Sequence, residues 1–425
     1  MQAMSDSPKY FDTPTLARFR RALVAWYQRH ARRLPWRDTT DPYKIWISEI
    51  MLQQTTVAAV VPFFERFLQR FPTLETLAGG NEEDVLRLWE GLGYYSRARN
   101  IYKAARLIVH QHGGQFPDEI APLMELPGIG RYTAGAVASF AFNRRAPIVE
   151  ANTLRLYCRL SGFSGDPRSS VGQKLLWDFA GQIVPRTRPG RFNQALIELG
   201  AILCTPEKPD CLRCPVRNCC SAFARGWQNK IPALAARTAP TAVTEIAVAV
   251  HREGRYLMLK RPLGERWAGL WDFVRFAWKD SGLLSLARVA GAVGVHTGLD
   301  VTDCSSFTEI RHSVTRFRIK LCCYTAEWAA GEIDDCDREF RWVVPQQISQ
   351  LPLSVTGRKI ARLLQAQLLI PVGEITDQSS SPRNICPAGD KRSQARNGTD
   401  QTPDETLVEA LNADACGCAG LNCPH

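Results

Sequence analysis

Cys204, Cys211, Cys214 and Cys220 stand six, two and five residues apart, with Pro206, Pro209 and Pro215 between them. Four thiolates crowded into seventeen positions by a tight loop can wrap one metal centre, and soft sulfur selects zinc or an iron–sulfur cluster. Zinc ribbons usually pair two Cys-x-x-Cys knuckles across a longer insert. Only one such pair stands here, so zinc is the weaker choice. A disulfide pair is weaker still in a chain that reads as cytosolic. Cys219 adjoins Cys220 and competes with it as fourth ligand; Cys220 is the expected one.

A second chemistry centres on Glu49. Its neighbours Ile45, Trp46, Ile47, Ile50, Met51 and Leu52 are all apolar. A carboxylate that such neighbours desolvate has a raised pKa and can hold a proton near neutrality, as a general acid must. The plainer alternative is a surface glutamate on an amphipathic helix, and this segment alone does not separate the two. Further along, Leu126-Pro127-Gly128-Ile129-Gly130-Arg131 lies between helical stretches. Paired glycines there allow a tight turn that aims N–H groups outward, a seat for phosphate. A lone Gly-x-Gly is more often only a turn.

The elements that must position these residues follow from apolar spacing. Three- and four-residue recurrence over Leu16–Trp26, Ile45–Leu68, Val85–Trp89, Ile101–Val109 and Leu175–Ile183 predicts a helical domain over 14–225. Residues 226–242, with Pro and Ala and no clear periodicity, read as a linker. From Val243 the pattern becomes alternating: Ile246, Val248 and Val250, then a turn at Arg252–Arg255 into Tyr256–Lys260. Phe317, Ile319, Leu321 and Cys323 alternate likewise, and 281–299 and 355–369 read as helices, which predicts an α+β domain over 243–370. The ends, 1–13 and 371–425, are polar and read as disordered; the tail thiols Cys416, Cys418 and Cys423 are read as free.

The 425 residues are too many for one ordinary core. No apolar run is long enough to span a bilayer, so a cytoplasmic protein is expected. The net charge of +11 is uneven: residues 1–225 hold 30 Lys/Arg against 20 Asp/Glu, the remainder 23 against 22. A basic excess confined to the helical half points to a polyanion there.

Taken together, the cysteine spacing resembles the iron–sulfur loop of endonuclease III-like glycosylases, a helix-hairpin-helix superfamily. Ser48-Glu49-Ile50-Met51-Leu52-Gln53-Gln54-Thr55 is similar to the signature of MutY-type adenine DNA glycosylases. So are Leu34-Pro35-Trp36-Arg37 and Gly91-Leu92-Gly93-Tyr94-Tyr95-Ser96-Arg97-Ala98-Arg99-Asn100. The resemblance implies a [4Fe-4S] cluster on Cys204, Cys211, Cys214 and Cys220. It implies that Glu49 protonates N7 of an extruded adenine, with Tyr132 and Asn152 in the same catalytic group. Gln54 and Tyr94 would probe or wedge the duplex. Arg37, Leu52, Thr55, Gly128, Gly130 and Gln194 would also meet DNA or the base, and Arg97 and Arg99 suit phosphate contact. Bifunctional relatives carry a nucleophilic lysine where this chain has Tyr132, and no lysine lies within twenty residues of it, so a lyase route is unsupported. Where the family usually shows Asp-Gly-Asn, this chain has Glu150-Ala151-Asn152, so the sugar-stabilising carboxylate would be Glu150, one methylene longer.

The second domain resembles the Nudix-like module of the same family, through Trp267-Ala268-Gly269-Leu270-Trp271-Asp272-Phe273. Ser281–Leu299 contains no Asp or Glu, which leaves magnesium unheld and excludes pyrophosphatase chemistry. Val314, Thr315 and Arg316 fall where the family usually reads 8-oxoguanine with Phe-Ser-His. The expected protein is therefore multidomain: an all-α helix-hairpin-helix glycosylase with an iron–sulfur loop, then an α+β Nudix-like recognition domain. Its expected partner is duplex DNA bearing adenine opposite 8-oxoguanine or guanine. It is expected to act as a monomer at the nucleoid, without a membrane. Competing readings are a lesion sensor that has lost catalysis at Glu150-Ala151, an iron–sulfur electron carrier, and an endonuclease III-like pyrimidine glycosylase.

Overall fold

The computed structural model describes residues 10–233, 239–279, 284–333 and 339–368; the expected tail at 371–425 lies outside them, as do residues 1–9 of the expected N-terminal segment. The chain divides at Thr241–Ala242 into two compact units, with the hairpin tip Ser313–Arg318 grouped with the first. Among the described residues no helix is long and apolar enough to cross a membrane.

The first unit is helical: α1 (Thr13–His30), α2 (Pro42–Leu52), α3 (Val57–Arg70), α4 (Leu74–Ala78), α5 (Glu82–Leu88), α6 (Ser96–Gln111), α7 (Ile120–Glu125), α8 (Arg131–Phe140), α9 (Ala151–Ser161), α10 (Ser170–Ile183), α11 (Pro189–Ile202) and α12 (Ser221–Ala224). Side-chain caps set several starts. The Asp12 carboxylate accepts from Thr15 N–H and Asp41 from Tyr43 N–H, with Pro42 pre-set at the first helical position. The apolar run Ile45–Leu68 is two helices, not one. Gln53–Thr56 breaks it, and Gln54 adopts a left-handed backbone with φ of 60°. Periodicity missed the break because both helices bury apolar faces on either side of it.

α2 is buried almost all round, from Tyr43 and Ile45 through Met51, as expected of a helix apolar on every face. Around α9, α10 and α11 a second core gathers Phe19, Leu23, Tyr157, Phe179, Phe192 and Leu196. Ile231 is buried in the same core, so the stretch read as linker from residue 226 begins as packed chain.

The second unit carries β1 (Thr241–Arg252), β2 (Arg255–Lys260), β3 (Trp271–Asp272), β4 (Val274–Ala277), α13 (Leu286–Thr297), β5 (Asp300–Val314), β6 (Phe317–Ala330), β7 (Phe340–Val343), α14 (Pro345–Ile348) and α15 (Val355–Leu368). The sheet runs β3-β2-β1-β6-β5, with β4 against β1 and β7 against β2. Glu253 and Gly254, with φ of 49° and 76°, make the tight β1–β2 turn. Ile246, Val248, Val250, Val289 and Val293 form the core beneath α13.

Candidate active site

Glu49 sits one turn before the end of α2 and is 5% exposed. α8 packs beside α2 and brings Tyr132, whose hydroxyl donates to Glu49 Oε2 at 2.6 Å. Burial pushes the Glu49 carboxyl up to about 7, against the pull of the Tyr132 hydrogen bond, while the charge of Glu150 adds to the rise. Tyr132 is itself held far above the usual phenol range, by burial first and then by the two carboxylates. It is therefore a neutral donor at every physiological pH. The surface-glutamate alternative is thus set aside.

Glu150 caps α9. Its Oε2 accepts from Asn152 N–H and its Oε1 from Thr153 N–H, both at 2.8 Å, and Thr153 Oγ1 accepts from Glu150 N–H. The extra methylene relative to aspartate lets both oxygens reach back over the helix N-terminus, where the helix dipole favours a negative charge. Burial raises the Glu150 pKa against these N–H groups. Asn152 Nδ2 reaches the same carboxylate at 3.3 Å. Glu49, Tyr132, Glu150 and Asn152 therefore form one electrostatically connected group on α2, α8 and α9.

Other expected contacts fall differently. Arg37, read as a DNA contact, is turned inward: it donates to buried Glu198 at 2.6 Å and to the Arg32 carbonyl. Burial alone would raise Glu198, but Arg32 and Arg37 draw its carboxyl down to about 2. Gln194 accepts from the Tyr27 hydroxyl at 2.9 Å. Leu52 and Thr55 are half-buried at the α2–α3 turn, whose tip is exposed Gln54. Tyr94 is 48% exposed on a second left-handed backbone, φ 47°. Gly128 begins the α7–α8 turn at φ 77°, where a Cβ would also stand 2.7 Å from Asn100, so glycine is required twice over. Gly130 caps α8. Val314, Thr315 and Arg316 form the β5–β6 hairpin tip, with Thr315 at φ 50°, rare for a β-branched residue.

Cys204, Cys211, Cys214 and Cys220 line one cavity with Leu156 and Leu203. Among the described residues no group of three or more His, Cys, Asp or Glu is set to hold a single metal ion. Four thiols around a shared cavity suit a larger polynuclear centre. Burial pushes Cys214 up to about 12, and the thiols of Cys204, Cys220 and Cys211 add to it; a bound cation would reverse this. Cys219 packs against the core and carries no such coupling to the other three.

Two arginines around the site were not singled out in the sequence, and a third is placed differently from its expectation. Arg155 on α9 donates to the Asn152 side chain at 3.0 Å, the Gly200 carbonyl at 2.7 Å and the Cys204 carbonyl at 2.7 Å. Arg159, one turn on, donates to Cys204 Sγ at 3.2 Å and the Thr205 carbonyl at 2.7 Å. α9 thus ties the carboxylate end of the site to the cysteine loop. Arg97, expected with Arg99 at phosphates, instead faces inward onto backbone carbonyls. The i, i+4 spacing of Arg155 and Arg159 was the signal available for the first two.

Residues 47–181 match the HhH-GPD superfamily of base excision DNA repair proteins, and 245–363 match the NUDIX domain. The chain is 31% identical over 424 residues to the adenine DNA glycosylase of Homo sapiens, covering 86% of this chain and 78% of that one. It is 34% identical over 305 residues to the adenine DNA glycosylase of Buchnera aphidicola subsp. Acyrthosiphon pisum, covering 71% and 85%. The match to the Rattus norvegicus protein of that name is 44% identical over 234 residues; it spans 53% of this chain and under half of that one, 45%.

Proposed function

The chain belongs to the adenine DNA glycosylases, and from that premise we propose that it excises adenine opposite 8-oxoguanine or guanine with Glu49 as the acid. The observation that supports this most directly is a carboxyl held at a pKa of about 7 inside an apolar helix, beside a neutral phenol. Tyr132 occupies Oε2, so the transferable proton sits on Oε1.

An adenine swung out of the duplex accepts that proton at N7. The bond from C1′ to N9 then breaks, its electron pair leaving with the base. Glu150, fixed by Asn152 and Thr153, stabilises the cationic sugar until water adds at C1′ and gives up a proton that returns Glu49 to its acid form. Tyr132 offers a hydroxyl and no amine, which favours hydrolysis over a Schiff base. Gln54 and Tyr94 probe the duplex, and Val314, Thr315 and Arg316 read the opposite base. Cys204, Cys211, Cys214 and Cys220 would hold a [4Fe-4S] cluster, whose irons would tie the four thiolates together and so order the loop.

Single-turnover excision from a duplex with adenine opposite 8-oxoguanine tests the reading. Glu49→Gln lowers the rate by about 10²–10⁴-fold, and Glu150→Gln by about 10²–10³-fold, with duplex binding retained. Full rate in Glu49→Gln rejects the mechanism. Tight binding without any abasic product from the parent chain favours the lesion sensor.

A further inference from the structure

We propose that Arg97 is a positioning residue that locks the two duplex-probing turns, at Gln54 and Tyr94, in register with each other and with the Glu49 helix; the duplex-probing role rests on the reading above. Arg97 lies in the first turn of α6. One terminal nitrogen, Nη1, donates to the carbonyls of Ile50 at 2.7 Å, Met51 at 3.3 Å and Gln53 at 2.6 Å. These belong to the C-terminal end of α2, where helix carbonyls are left over from the intrahelical ladder and that of Ile50 has only a long bond from Gln53 N–H, at 3.4 Å. The other, Nη2, donates to the carbonyls of Leu92 at 3.1 Å and Gly93 at 3.2 Å. The guanidinium also lies 5.3 Å from the Trp89 ring centroid and 5.7 Å from that of Tyr94.

The placement of these bonds is specific. Gln53 and Gly93 immediately precede Gln54 and Tyr94, so one side chain holds the peptide carbonyl entering each left-handed residue. Neither Gln54 at φ 60° nor Tyr94 at φ 47° would keep that backbone without an external restraint, since such conformations persist only where surroundings over-determine them. Both residues are exposed, although α2 beneath them is buried. The Arg97 N–H also donates to the Tyr94 carbonyl at 2.9 Å. Five carbonyls in two turns call for a planar fork of donors. A lysine ammonium, with three donors at one point, cannot span them.

The test is a melting cycle on the full chain without DNA, combined with excision kinetics. Gln54→Gly and Tyr94→Gly each relieve a left-handed strain, so each raises the melting temperature by roughly 2–4 °C in the parent. Combined with Arg97→Lys the gain disappears, because the freed turns relax unaided. In single-turnover excision of adenine opposite 8-oxoguanine, Arg97→Lys slows the parent by about 100-fold, the cost of a misplaced contact. Adding Tyr94→Ala to Arg97→Lys leaves the rate within about 3-fold of the slower single variant, as expected of residues acting through one another. Equal glycine gains in both backgrounds, or losses in rate that multiply, overturn the proposal. Should Arg97→Lys fail to fold, Gln54→Gly with Tyr94→Gly decides: shared restraint makes their melting gains less than additive, and full additivity overturns it. Coupled melting in a chain that excises no adenine would sink the functional reading and leave the clasp standing.

Discussion

Glu49 shows how a single side chain can be legible in sequence and still need the fold to explain it. Its apolar neighbours announce desolvation, but Tyr132 lies 83 residues away, and only the packing of α8 on α2 supplies its hydrogen bond. The same burial makes a stability prediction. The folded pKa of about 7 lies above the ordinary 4.5, so the folded chain keeps a proton that the unfolded chain has released between those values. Stability from this group is intact below about pH 4.5 and declines as pH rises through about 7, by roughly 3 kcal/mol in all. Glu49→Gln removes that loss. Thermal melting against pH will show the variant gaining on the parent at about pH 8 and not at about pH 5; equal differences at both would refute the buried charge. Glu150 is the opposite case. Its charge was legible, but its place as the α9 cap was not, because a capping glutamate depends on side-chain reach that no local pattern encodes.

At the scale of elements, the sequence located most helices and the long strands β1 and β6, since each buries a periodic face, but not β5, whose side chains are mostly exposed. It did not show the Gln53–Thr56 break, because four polar residues also suit the solvent side of an uninterrupted helix, and the Arg97 bond to the Gln53 carbonyl comes from another helix. Nor did it show that Arg37 turns inward, because the pairing with Glu198 spans 161 residues. α9 links the two chemistries of the first unit, with Glu150 and Asn152 at its start and Arg155 and Arg159 facing the cysteine loop. Cys220 lines the cavity shared by the other three cysteines. Iron analysis of purified variants should therefore find Cys220→Ser depleted and Cys219→Ser at the parent level. The reverse pattern would reassign the fourth ligand. Loss of the loop should also reach Asn152 through Arg155 and slow excision more than it weakens binding.

The whole molecule combines a basic helical unit with a sheet unit whose α13, Leu286–Thr297, bears no carboxylate. Residues 245–363 match the NUDIX domain. The proposed reading of the opposite base lies at the Val314-Thr315-Arg316 tip of the β5–β6 hairpin. Thr315→Gly relieves the φ of 50° while removing the hydroxyl, so melting should hold or rise as the rate preference for 8-oxoguanine over guanine falls. An unchanged preference would move recognition elsewhere. The proposed function turns on one event, the delivery of a buried proton to a base drawn from the duplex. The most direct measurement is the single-turnover excision rate against pH, for the parent and Glu49→Gln. The parent rate should be highest near about pH 6, fall at more acid pH as Glu150 takes up a proton, and fall tenfold per unit well above the Glu49 pKa of about 7, with the variant low and without the alkaline fall. A parent rate that stays constant or climbs between about pH 6 and about pH 9 would contradict Glu49 as the acid.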